Sequence, residues 1–233
     1  IKFLISALLL EKWVIFISHD IVTLTSVLNT ILGLLCPFKY LYSIVPNLPP
    51  KSVRLCGAPV PITICINQKE DYSWQTRLHE YSQNIFVFLD SKMIYVDSTH
   101  PEFSSLPVLD CLSQGIENLY KELNPTNSSF KVITDFNVLK KTHPTSEEFS
   151  QFEKQKEMTK EEKEKCQKLF KHFRTQLERN IANNMTYFKG YSPVQAQNLD
   201  LEKQITSFIK NDNNKEFFKS FITTQGFLTY PDY

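Results

Sequence analysis

Trp13-Val-Ile-Phe-Ile17 is the stretch on which the fold turns. It is an unbroken apolar run rich in β-branched residues, and its length suits a strand buried on both faces, as in a parallel sheet under helices. Upstream, Ile1, Leu4, Ile5, Leu8 and Leu9 recur at helical spacing, which predicts an amphipathic helix over the opening segment. Downstream, Ser18 or Asp20 can cap a second helix, which Pro37 ends. Helix, buried strand and helix within the first 37 residues predict an α/β core, a layered sheet flanked by helices.

Ile21 to Phe38 is eighteen residues without a charge, so a membrane span must be weighed. Thr23, Ser26, Thr30 and Gly33 fall on one helical face, and Ile21, Leu24, Leu28, Ile31 and Leu35 on another. A helix facing lipid needs no polar stripe, whereas one packed on a sheet often has it, so the pattern favours a packed helix. Ile1 to Leu10 resembles a signal-peptide core, but no small-x-small cleavage site follows. With Ile1 leading directly into this run, the chain reads as a piece of a longer protein.

Half of the twelve prolines lie between Pro37 and Pro61, which predicts an extended connecting region with short strands at Leu41 to Val45 and Ile62 to Ile66. Residues 67–83 are polar and read as a loop. Ile85 to Leu89 and Met93 to Val96 predict two strands joined at Asp90-Ser91, where the Asp90 side chain can close the turn. Leu106 to Leu123 predicts a helix ended by Asn124-Pro125. Residues 124–147, with one short apolar run at Phe130 to Phe136, read as the boundary between subdomains. Beyond it the pattern is helical. Glu153 to Lys165 carries ten charges, five of each sign, and reads as a solvated helix or linker; Thr159-Lys-Glu-Glu162 fits a capping box. Cys166, Leu169, Phe170, Phe173, Leu177 and Ile181 form an apolar stripe that continues as Leu201, Ile205, Phe208 and Ile209, then as Phe217, Phe218, Phe221 and Ile222. The second half therefore predicts a small all-helical unit.

Composition narrows the function classes. With 233 residues, 42% hydrophobic and 22% charged, the chain can bury a real core, and a net charge of +1 gives no bulk attraction to nucleic acid or acidic membrane. The cysteines are Cys36, Cys56, Cys65, Cys111 and Cys166; an odd number without C-x-x-C spacing suits a reducing compartment, so the sequons at Asn127 and Asn184 read as chance matches. Isolated glycines build no phosphate cradle, and there is no H-E-x-x-H, cysteine cluster or G-x-S-x-G elbow. No cofactor, metal or catalytic residue is expected.

Five segments, in order, resemble the DENN family: Leu8-Leu-Leu-Glu11 with Val14-Ile-Phe-Ile-Ser18, Leu34-Leu-Cys-Pro-Phe-Lys-Tyr40, Val45-Pro-Asn-Leu-Pro49, Ala58-Pro-Val-Pro61, and Val87-Phe-Leu-Asp90. Phe217-Phe-Lys-Ser-Phe-Ile-Thr-Thr-Gln-Gly-Phe227 is similar to a segment of the family's downstream helical part. Three positions depart from the family pattern: Cys65 where Gly is usual, Tyr40 where Trp is common, and Phe88 where an Asp is common. A side chain in place of Gly at 65 would crowd a close backbone approach. The resemblance implies a central DENN portion over 1–140, a downstream helical portion over 141–233, and an upstream longin-like lobe that the chain lacks. It implies part of a guanine-nucleotide exchange factor that binds Rab-type GTPases between the two lobes, acting in trafficking and endocytosis. Such a protein makes no covalent bond and is cytoplasmic, peripheral to vesicle or endosomal membranes through its partners. A DENN-like scaffold that binds GTPases or complex partners without exchange is the alternative, and a membrane fragment using Ile21 to Phe38 is the third reading.

Function on a layered α/β scaffold gathers at strand ends and the loops beside them. That selects Ser18, His19, Asp20, Asn67, Asp71 and Asp90 as candidate contacts for the GTPase. Phe38 and Tyr40 can face a hydrophobic switch surface, but burial habits place them in the core.

Overall fold

The computed structural model describes residues 2–36, 38–68, 80–99, 106–107, 130–142, 159–179 and 212–228. Strand β1 (Trp13–Ser18) lies inside a six-stranded mixed sheet with β2 (Ser43–Val45), β3 (Ile62–Asn67), β4 (Asn84–Phe88), β5 (Met93–Tyr95) and β6 (Lys131–Ile133). The spatial order is β2-β3-β1-β4-β5-β6. β1 pairs in parallel with β3 on one side and β4 on the other, which is why it can be apolar at every position up to its last. β4 and β5 form the expected antiparallel hairpin.

Alternation along the strands separates two cores. Val14, Phe16, Cys65, Ile85, Val87 and Ile94 face one layer of helices: α1 (Lys2–Leu9), α2 (Ile21–Leu34), α4 (Lys160–Leu177) and α5 (Asp212–Phe221). Ile15, Ile17, Ile64, Phe86, Phe88 and Tyr95 face the opposite side, under the 3-10 segment Pro50–Gly57, Tyr81 and α3 (Phe136–Thr142). Phe173, Leu177, Phe217, Phe218 and Phe221 share one cluster with Ile5 and Leu8 of α1 and with Leu24 and Leu28 of α2. The described downstream helices thus pack into the first core. No helix among the described residues is long and apolar enough to cross a membrane.

Several expectations change in detail. The opening helix is not amphipathic: Leu4 through Leu9 are all buried, because the sheet and the downstream helices leave it little solvent face. It ends in a Schellman turn, with Lys12 N–H donating to Ala7 O and Glu11 N–H to Leu8 O. Glu11 stands at the left-handed position (φ 57°) where glycine is usual. In α2, Leu24, Leu28 and Ile31 are buried as expected, but Ile21 is 42% exposed because it precedes the first turn that reaches the sheet. The first connecting strand shortens to Ser43–Val45 and leaves Leu41 exposed. Part of the region expected to be extended winds into Pro50–Gly57, where proline suits a helical first turn and Ser52 N–H donates to Pro49 O.

The Phe130 to Phe136 run yields β6, which pairs in parallel with β5, then α3. Thr159 and Glu162 form the reciprocal capping box. Phe38 is buried edge-on to Phe221, and Tyr40, half-buried, accepts a hydrogen bond from Thr63 Oγ1, so both serve packing. Cys65 is buried in mid-strand β3, its Cβ accommodated within the core. The expected helix over 106–123, apart from Leu106 and Pro107, lies outside the described residues, as do Ile181 and the Leu201 to Ile209 stripe.

Burial pushes the thiols of Cys56 and Cys65 up to about 12. The thiolate is the nucleophile, so both should resist alkylation in the folded chain. At pH 8, iodoacetamide should label half-buried Cys36 and Cys166 first. Cys56 and Cys65 should be modified only after urea unfolding, as read by peptide mass spectrometry; early labelling of Cys65 would contradict this packing.

Candidate functional site

Three parallel strands end on one edge of the sheet. Ser18, the last residue of β1, lies opposite Asn67, the last of β3, while Ile17 lies opposite Phe88, the last of β4. After β1 the chain moves through α2 to β2 and β3 on one side, and after β3 it returns to β4 on the other. A reversal of this kind opens a crevice at the carboxyl ends of the strands, the usual ligand position in open α/β sheets. Here hydrogen bonds cross it.

Asp90, in the turn after β4, reaches across to β1. Ser18 Oγ donates to its Oδ1 at 2.8 Å, and the His19 backbone N–H donates to Oδ2 at 2.9 Å. His19 Nδ1 lies 3.1 Å from the same Oδ2, which orients the ring. Ser18 Oγ also accepts the Asp20 N–H at 3.1 Å. Asp20 is the N-cap of α2, accepting from Val22 N–H and Thr23 N–H at 3.1 and 3.0 Å and from Thr23 Oγ1 at 2.7 Å. The structure therefore joins Ser18, His19, Asp20 and Asp90 in one network, with Asn67 on the neighbouring strand end. Asp71 lies outside the described residues.

Two points of the sequence reading change. Asp90 does not close its own turn; its carboxylate is committed to Ser18 and His19, and the turn is instead made with Lys92 at φ 51°. Charge-assisted bonds from Ser18 Oγ and the His19 backbone N–H across the crevice outweigh a local one within the turn. Ser18, His19 and Asp90 also carry the residue types of a hydrolytic triad, but the connections differ. The serine hydroxyl, fully buried, donates to the aspartate rather than to the imidazole, so it is not poised as a nucleophile. Among the described residues no cluster of ligating side chains could hold a metal.

Sequence reasoning missed the exposed apolar pair beside this network. Ile21 and Val22, 42% and 64% exposed, sit in the first turn of α2. The signal was positional: residues directly after an N-cap at a strand's carboxyl end point along the edge, whatever their hydropathy.

Residues 1–92 match the family model of the DENN (AEX-3) domain. Over that stretch the chain is similar to the DENN domain. The DENN match spans β1 through β4 and the Asp90 turn, and so contains the whole strand-end network. No curated protein matches the chain. DENN domains as a family are associated with exchange factors for Rab GTPases, not with bond-making chemistry.

Replacing Asp90 with alanine leaves the buried Ser18 hydroxyl without its acceptor. Asp90→Ala should lower unfolding free energy by about 1–3 kcal/mol. Asp20→Ala, which removes the cap and the acceptor of Thr23 Oγ1, should cost about 1 kcal/mol. Urea titration measures both; no cost for Asp90→Ala would contradict the network.

Proposed function

We propose that this chain is part of a guanine-nucleotide exchange factor for Rab-type GTPases, and that the strand-end edge meets the GTPase. The observation that carries the reading is the DENN match over 1–92, which encloses the edge formed by Ser18, His19, Asp20, Asn67 and Asp90. In this reading the central DENN portion covers 1–140, Asp71 is a further contact for the GTPase, and the downstream helical portion covers 141–233. The Rab sits between this piece and an upstream longin-like lobe of the same protein. The protein works in the cytoplasm, at vesicle or endosomal membranes that it reaches through partners.

The mechanism needs no acid, base or nucleophile. A factor that binds nucleotide-poor Rab more tightly than loaded Rab must, by linkage, weaken nucleotide binding by the same factor. Loosening the nucleotide by four decades requires about 5.5 kcal/mol of differential binding. The edge suits such a task. Its carboxylates are committed to the chain's own donors, so its backbone is held in place, while Ile21 and Val22 offer apolar contact area. A preorganised surface loses less of its binding energy to ordering itself.

The test joins the chain to an upstream lobe and follows release of fluorescent GDP from a panel of Rab proteins. At least one Rab should release GDP faster, and Val22→Asp should reduce that acceleration by about tenfold, one decade per 1.4 kcal/mol. A folded protein that accelerates release from no Rab would overturn the exchange reading. Rab binding without release would select the scaffold.

A further inference from the structure

At the opposite end of β1, a single carboxylate ties together three segments remote in sequence. Glu11 Oε1 accepts the Gly226 N–H at 2.9 Å, across 215 positions, and Oε2 accepts the Tyr42 hydroxyl at 2.9 Å. Gly226 lies in the short helix α6 (Gln225–Leu228), which follows α5. Glu11 occupies the left-handed position of the Schellman turn, where glycine is the unstrained residue. A glutamate there gives up backbone comfort, and both of its oxygens are in use.

The neighbouring packing is apolar and non-directional. Phe221 meets Phe38 at 5.4 Å and Phe227 at 5.9 Å between ring centroids. Leu8, Leu9, Leu35, Phe38 and Phe221 line a small cavity of about 20 Å³ beside Glu11 and Gly226. Aromatic burial of this kind holds a segment down without defining its register, since it is roughly proportional to area. Directional bonds to a fixed carboxylate do define it. We propose that Glu11 is a latch that sets where the strap formed by residues 217–227 docks on the central DENN portion, with Tyr42 fixing the carboxylate's orientation. Burial first, and then Glu11 itself, pushes the Tyr42 hydroxyl up to about 12, so it remains a donor across the physiological range.

Glu11→Gly is the informative variant, because glycine keeps the left-handed turn while removing the side chain that carries the carboxylate. Amide hydrogen exchange on the full chain should then show Gly226 and its neighbours in α6 exchanging about tenfold faster or more, with β1 and β3 unchanged. Glu11→Gln should restore protection, since its amide oxygen can accept from Gly226 while its NH₂ donates to Tyr42. Wild-type exchange at Gly226 in Glu11→Gly would overturn the latch. So would a loosening spread equally over β1, β3 and the strap, which would make Glu11 a general stability residue.

Discussion

Strand β1 has a hydrogen-bonded neighbour on each edge and apolar cover on each face, and that double enclosure places every neighbouring element. Val14, Ile15, Phe16 and Ile17 are no more than 1% exposed. Burial of this kind leaves no room for a polar residue until the strand ends, so polar groups are forced to its two termini. Side-chain alternation sends Val14 and Phe16 toward the helices and Ile15 and Ile17 toward the 3-10 segment and α3. A one-residue slip of β1 would exchange the two sets against layers of different shape.

The two ends of β1 answer that constraint differently. At the carboxyl end, Ser18, His19 and Asp20 emerge between β3 and β4, and Asp90 accepts from the buried Ser18 hydroxyl and the His19 N–H. At the amino end, the Schellman turn brings α1 directly into the strand, and Glu11 reaches the downstream segment. One strand therefore carries both the candidate GTPase edge and, through Glu11, the contact with the segment at Gly226.

Much of this was legible because local patterns and tertiary demands agreed. The unbroken run at Trp13 to Ile17, the cap at Asp20, the hairpin around Asp90-Ser91 and the capping box at Thr159 each follow from short-range chemistry. What escaped depended on distant partners. Asp90 has the signature of a turn closer, and only the parallel pairing of β1 with β4 shows that Ser18 and His19 are nearer claims on it. The opening helix has the spacing of an amphipathic one, but Phe173, Leu177 and Phe221, far along the chain, join the cluster that buries it. Ile21 fits an apolar helical stripe by spacing, yet helix geometry at the first turn leaves it outside. Strand ends alone identify the residues of the edge network, but not how they connect.

The central claim is that the carboxyl-end edge of the parallel strands is the face that meets a Rab. A hydrogen-exchange footprint of the chain, joined to a longin-like lobe and saturated with nucleotide-free Rab, tests it most directly. Protection should concentrate at residues 18–22, at Asn67-Gln68 and in the Leu89 to Lys92 turn. Protection confined to the β6–α3 side of the sheet, with this edge exchanging as in the free protein, would contradict it.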